Sequence, residues 1–432
     1  MADSWVWRNR QKSKAFRLLW AAGPVLAGLM VLVAYWQSWF WFAPSLLELT
    51  DPFPGAATGP AADMVLNTTA ARDLEARMLG LLDSPQGLIT WHQLAGRTGK
   101  PPAIQSGQLQ ADDQVRYGQY LLEQERRQDF QRWWQVFCAV WQKPDGTFHG
   151  VLPSAQEDSD PALAFWQVNL PVARLLLQSC SLWPDPERQA DLIRLSDHLL
   201  RVLDAGMPTD TTALVPASDP ILDPGATPTP RPSVSPTPSP DQLTQLRVLR
   251  LSSVDLHAMQ ALIQVDQAWQ GHYDTFVQVI QASMISSVLP LPAWAWQPGS
   301  GYVPFPGDVP VMDTRSALQA LLYLCESGQM PEAGINWIRE QLYNKQAVYA
   351  SYHLAQGTPT SSQECLPAYA MIARIARLAG DQDLYQAAVS RLNWHVATSS
   401  RSMARMAVFR QDQDGLVSVW ALDNTWALLA FS

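Results

Sequence analysis

Between Leu18 and Ala43 the chain carries no charged side chain (LLWAAGPVLAGLMVLVAYWQSWFWFA). That run exceeds the roughly 20 apolar residues with which a helix crosses a hydrocarbon core. Whatever follows must fold as the exported part of a chain that meets a membrane at its N-terminus. Arg8, Arg10, Lys12, Lys14 and Arg17 precede the run against one acid, Asp3, a bias that predicts a cytoplasmic N-terminus and an exported body. The far end is dense in aromatics, Tyr35, Trp36, Trp39, Phe40, Trp41 and Phe42, which suit the membrane–water interface. A cleavable leader would have an apolar part of about 7–15 residues ending at small residues. This run is longer and ends in bulky rings, so it reads as a retained single-pass anchor. The expectation is a basic cytoplasmic tail at 1–17, a transmembrane helix at 18–43, a Pro/Gly/Ala-rich stalk at 44–66, and a cell-membrane protein whose main domain, 67–432, is periplasmic or extracellular.

Composition narrows what that domain can do. Nearly half the residues are apolar (47%) and the net charge is −9, so a large core is available and no basic face exists to release phosphate counterions from nucleic acid. Cys138, Cys180, Cys325 and Cys365 are far apart with no C-x-x-C pair, which excludes the usual zinc spacing. They either pair in an exported domain or lie as buried thiols in apolar helices. His149, His257, His353 and His395 are dispersed, with no H-x-x-x-H, no Gly-rich phosphate loop and no G-x-S-x-G elbow; no metal and no cofactor is expected.

Helical patterning dominates from Asn67 onward. Helices are predicted at about 67–82, 113–141, 162–182 and 186–205, the last with Asp185 as cap and Pro186 at the first helical position. Pairs follow at about 253–270 with 272–288, 313–327 with 331–343 and 361–379 with 382–396, then a last helix at about 422–431. Strand signals are local, at 146–152 and 405–409. Residues 216–240 hold nine prolines among Ser and Thr, which reads as a solvated insertion within one domain. Ten to twelve helices joined by long aromatic segments such as LPLPAWAWQPGSGYVPFPGDVP predict an all-α toroid whose loops build a site at one rim.

The order of segments resembles glycoside hydrolase family 8, in particular the endoglucanases of bacterial cellulose and exopolysaccharide operons. Four stretches carry the resemblance. Tyr117-Gly118 with the helix that follows is similar to the end of the family's Ser-Glu-Gly-Gln-x-Tyr-Gly motif. QVNLPVARLLL at 167–177 stands where the family has Asp-x-Asp before an apolar helix. MDTRSALQALLYL at 312–324, preceded by Leu291-Pro-Ala-Trp294, is similar to its Tyr-Asp-Ala-x-Arg helix start. LDNTWALLAF resembles its closing helix. The resemblance implies an (α/α)6 barrel over 67–432 and inverting hydrolysis of a β-linked glucan, near the synthase or export complex that delivers it. Asp113 falls on the general acid, one methylene shorter than the family's Glu, and Asp313 on the general base. Tyr117, Gln167, Asn169 and Arg315 fall on sugar-binding positions, with amides at 167 and 169 where the family has carboxylates; Asp158 and Asp160 lie just upstream. The departures also fit a second reading, a catalytically inactive toroid that binds polysaccharide within a secretion machine.

The residues themselves leave alternatives open. An inverting glycosidase needs two carboxyls about 6.5–9.5 Å apart, one of them protonated. Asp112 or Asp113, and likewise Asp313, could instead cap the helices they precede. Trp294, Trp296, Tyr302 and Phe305 sit in a Pro/Gly-rich segment, where rings either stack on pyranoses or pack beneath the loop. Trp133, Trp134 and Trp141 follow helical spacing and read as packing residues.

Overall fold

Two kinds of helix alternate along the chain. In α3 (Arg127–Trp141) only Phe130, Trp134, Phe137 and Trp141 are buried, and in α7 (Trp269–Gln281) Trp269, Tyr273, Phe276 and Ile280 repeat that spacing. A single apolar stripe of this kind marks a helix covered on one side. In α4 (Leu170–Leu182), α10 (Leu366–Ala379) and α12 (Ala421–Phe431), by contrast, almost every residue is buried, as a helix enclosed on all sides requires. The computed structural model describes residues 46–51, 68–95, 102–152, 164–206, 248–307, 309–411 and 415–432. The tail, the uncharged run, most of the stalk, the proline-rich insertion, Asp158 and Asp160 lie outside the described residues. Among those described, no helix is long and apolar enough to cross a membrane.

The remaining α-helices among the described residues are α1 (Thr68–Leu82), α2 (Ala111–Glu123), α5 (Pro186–Ala205), α6 (Leu256–Leu262), α8 (Thr314–Glu326), α9 (Glu332–Tyr343) and α11 (Gln382–Asn393). Helix α2 packs on α4, α4 on α6, α6 on α8, α8 on α10, α10 on α12, and α12 back on α2. These contacts close a ring of six inner helices, with the odd-numbered helices alternating outside it. Links from each inner helix to the next outer one are short, such as Gln124–Arg126 and Gly380–Asp381, whereas outer-to-inner connections are long and carry the short strands. The long connections therefore gather on the N-terminal side of the ring and build one loop-bearing rim.

Capping sets several of the turns. Asp185 accepts from the N–H of Glu187 and Arg188 ahead of α5, and Asp381 from that of Leu384 ahead of α11. Gly380, with φ +67, ends α10 in the left-handed conformation that glycine adopts freely. The single helix expected at 113–141 is two, α2 and α3, because the chain reverses at Glu125 (φ +51). The buried carboxylate of Glu75 on α1 holds that reversal: it accepts from the Tyr117 and Tyr120 hydroxyls and lies 2.6 Å from Arg126. Pattern alone could not see the reversal, since both helices keep apolar spacing across it. Helix α4 starts as expected but through a π-turn, Phe165–Asn169. The four cysteines are free thiols, Cys180, Cys325 and Cys365 buried and Cys138 partly so.

The ring axis is ionic rather than apolar. Arg174 on α4 lies 3.3 Å from Asp255, which caps α6, and 2.8 Å from Glu326 on α8. Arg374 on α10 lies 3.1 Å from the same Glu326 and 2.9 Å from Glu123 on α2, and the Ser432 hydroxyl at the end of α12 donates to Glu123 at 3.1 Å. On the short-link side, Thr50 exchanges hydrogen bonds with Gln264, while Asp51 accepts from Gln178 and pairs with His257 at 2.9 Å.

Burial alone would raise the Glu326 pKa, but the Arg174 and Arg374 charges overcome it and hold the carboxyl at about 2. Removing one partner from such a network strands buried charge, at a cost of about 3–5 kcal/mol. Glu326→Ala is expected to lose stability on that order at neutral pH in denaturant titration. Because the folded pKa is depressed, the parent's advantage is fully present above the ordinary value of 4.5. It fades as pH falls toward about 2.

Candidate active site

The loop-bearing rim collects acids at the positive ends of the inner helices, where the helix dipole favours them. Asp112 and Asp113 lie in the first turn of α2, Asp313 caps α8, and Asp423 lies in the first turn of α12. Neither Asp112 nor Asp113 is a cap, since the N-cap position is Gln110 and makes no side-chain cap bond. Both aspartates instead pair with Arg116 one turn later, Asp113 at 3.1 Å. Arg116 in turn lies over the Trp426 ring, 5.1 Å from its centroid.

Asp113 is 1% exposed, and its Oδ2 has no hydrogen-bond partner among the described residues. Burial pushes its pKa up to about 7, with further upward pressure from Asp112 and Asp423, against the lowering effect of Arg116. Below about pH 7 the carboxyl is therefore protonated, yet it is sealed from solvent.

Asp313 is half-buried, and its Oδ2 accepts from both the backbone N–H and the hydroxyl of Ser316, at 2.9 and 2.6 Å. It thus serves as the N-cap of α8. Helices α2 and α8 stand three places apart in the ring of six, so the two aspartates head opposite inner helices. Between them along the rim, Asp423 is fully buried and held by Arg410 through two bonds of 2.6 and 2.7 Å.

Several residues assigned to sugar binding by resemblance have other partners. The Tyr117 hydroxyl points to Glu75 on the outer helix α1. Gly118 beside it is needed for packing: a Cβ there would meet the Trp133 indole at 2.4 Å. The Asn169 side chain bridges backbone groups, accepting from Phe148 N–H and donating to Ala164 carbonyl. The Tyr302 hydroxyl donates to the Val279 carbonyl. Trp294 packs edge-on against Phe305 over a small satellite core, and Trp296 lies opposite Tyr302 in a three-stranded sheet. Gln167 donates to Ser253 at 3.2 Å. Only Arg315 is exposed.

At the ring axis lies a cavity of about 30 Å³. Asp112, Arg116, Arg174, Asp255, Tyr323 and Glu326 are among its lining residues. It has room for a water or two and none for a sugar ring. Asp255, Asp423 and the arginines facing them escaped the sequence reading. The i,i+4 pair Asp112–Arg116 was the one local signal that could have exposed part of this cluster.

Solved structures share this architecture. An alpha-amylase from Clostridium perfringens superposes with TM-score 0.64 at 19% identity, over 84% of this chain and 97% of that one. PssZ from Listeria monocytogenes follows at 0.54 and 13%, over 85% and 96%. An endoglucanase from Komagataeibacter sucrofermentans gives 0.51 and 14%, over 84% and 96%. The chain shares the (α/α)6 toroid fold of these structures. No protein-family model matches the sequence, and no curated protein sequence does. Identities this low speak for architecture alone, so any role for the loop-bearing rim rests on this chain's own residues.

Two substitutions separate structural from chemical roles. The folded state keeps the Asp113 proton that the unfolded chain releases between pH 3.8 and about 7. Stability therefore falls as pH rises through that window, by up to about 1.4 kcal/mol per pH unit. Asp113→Asn should flatten this slope in denaturant titrations made across the window. Asp313→Ala should cost about 1 kcal/mol through loss of the cap, while Asp313→Ser, which can still cap, should recover most of it.

Proposed function

We propose that this chain engages a polysaccharide across the loop-bearing rim, as a glycan-active six-hairpin protein that holds its substrate and does not cleave it through Asp113 and Asp313. The observation carrying this reading is the burial of Asp113. A general acid must come within hydrogen-bond reach of the glycosidic oxygen, whereas this carboxyl is 1% exposed and already bonded to Arg116. The opposite carboxylate spends one oxygen on capping α8. The narrow axial cavity supports a glycan lying over the rim rather than threading the ring.

In the same proposal, residues 18–43 anchor the protein as a single-pass membrane chain, cytoplasmic at its N-terminus, with the toroid outside. Its place is beside a polysaccharide synthase or export complex, and its ligand a β-glucan such as cellulose. Tethering of this kind raises the local concentration of the protein at the point where the polymer emerges.

Inverting hydrolysis is the second reading, and the Asp113 pKa of about 7 favours it, since an acid poised near neutrality is what the reaction needs. Both readings meet in one experiment. The full-length protein is run in native gels containing hydroxyethylcellulose, xylan or soluble starch, and reducing ends are assayed on the same polymers. Retardation by at least one polymer without release of reducing ends is the expected result. Release that Asp313→Asn abolishes would replace binding by hydrolysis, and absence of both retardation and release would sink the glycan reading.

A further inference from the structure

A four-stranded antiparallel sheet on the rim has an outer face that the assignments above leave unused. Its strands run in the order Phe409–Gln411, Val417–Trp420, Trp91–Gln93, Ile104–Gln105. The register places Trp420 opposite Trp91, Ser418 opposite Gln93 and Arg410, and Gln93 opposite Ile104. Because side chains alternate along a strand, Trp91, Gln93, Ile104, Arg410, Ser418 and Trp420 share one face. The other face turns inward: Val419 is fully buried, Phe409 and Val417 pack on the core, and the His92 ring bonds the Leu81 carbonyl. Neither Trp91 nor Trp420 belongs to that core, and both are partly exposed.

The outer face is built as well as exposed. The two indoles lie 6.0 Å apart with their planes 33° from each other, so they form one strip rather than two separate sites. The Arg410 guanidinium sits over the Trp420 ring at 4.8 Å, and the Trp420 N–H donates to Ser418 Oγ. Arg410 is fixed by its paired bonds to Asp423, which use Nε and one Nη. The planar fork then directs its remaining donors away from Asp423. Because Asp423 lies in the first turn of α12, its bonds to Arg410 tie the sheet face to the acidic rim.

Apolar ring faces bordered by an amide, a hydroxyl and a guanidinium match a pyranose, which offers C–H groups on its faces and hydroxyls around its edge. A peptide partner would more often want apolar depth, and this face has none. We propose that the sheet face is a stacking platform for consecutive pyranose rings, with Trp91 and the side of Trp420 that Arg410 does not cover against the sugars, and Gln93, Ser418 and Arg410 at their hydroxyls. The proposal rests on the glycan reading and deepens it by naming a subsite at the α12 side of the rim.

The test uses full-length protein, with Trp91→Ala, Trp420→Ala and the conservative Trp91→Phe. Dissociation constants come from native gels at graded concentrations of whichever of hydroxyethylcellulose, xylan and soluble starch retards the parent. Each alanine variant should weaken binding about tenfold, and Trp91→Phe should retain most of it. Wild-type protein gives a second measure that does not depend on variants folding. The same polymer should protect Trp91 and Trp420 from oxidative labelling read by mass spectrometry, while Trp183 at the short-link end is unchanged. If the parent binds but the alanine variants bind equally well and neither indole is protected, the platform is wrong and the glycan reading survives. If the parent binds none of the polymers, both fall together.

Discussion

Glu326 is the point on which the inner ring turns. Its carboxylate receives Arg174 from α4 and Arg374 from α10, and these two arginines reach Asp255 at the head of α6 and Glu123 on α2. Ser432 brings in the end of α12. All six inner helices thus meet in one charged network of fixed partners. Apolar packing could bury the same helices in several registers, but a carboxylate buried between two guanidinium groups tolerates one arrangement. The cost of leaving any member unpaired makes the ring cooperative at its centre, and the outer helices add their aromatic stripes to a frame already set.

That frame explains why acids gather on the loop-bearing rim. The N-termini of α2, α8 and α12 converge there, and their dipoles favour the acids found at them. The same convergence makes the acids compete. Asp113 is driven toward its neutral form by burial with help from Asp112 and Asp423, and Asp423 is fully occupied by Arg410. Asp113 thus combines a pKa pushed up to about 7 with almost complete burial. The pKa describes its surroundings, and accessibility decides whether the chemistry can be used.

Much of the architecture could be read from the chain. Asp185 and Pro186 began α5 as predicted, the pairs after residue 253 stand as inner and outer neighbours, and the toroid emerged from their alternation. Boundaries that depended on distant partners did not emerge. The break at Glu125 needs Glu75, some fifty residues upstream, to gather Tyr117, Tyr120 and Arg126. The site was less legible still. Tyr117-Gly118 matched a motif, yet Tyr117 serves Glu75 and Gly118 makes room for Trp133. Trp91 and Trp420 carried no local signal, because they become neighbours only when two strands more than 300 residues apart in sequence are paired.

One small feature bears on how the molecule would carry load. The segment Thr50–Asp51 is fastened to Gln264, Gln178 and His257, at the end of the ring with the short links and away from the acidic rim. Tension arriving along the backbone from the N-terminal side would fall first on these bonds and on the ends of α4 and α6. The sheet that carries Trp91 and Trp420 lies outside that line of force. A toroid fastened in this way can be pulled from one end while the opposite surface keeps its shape.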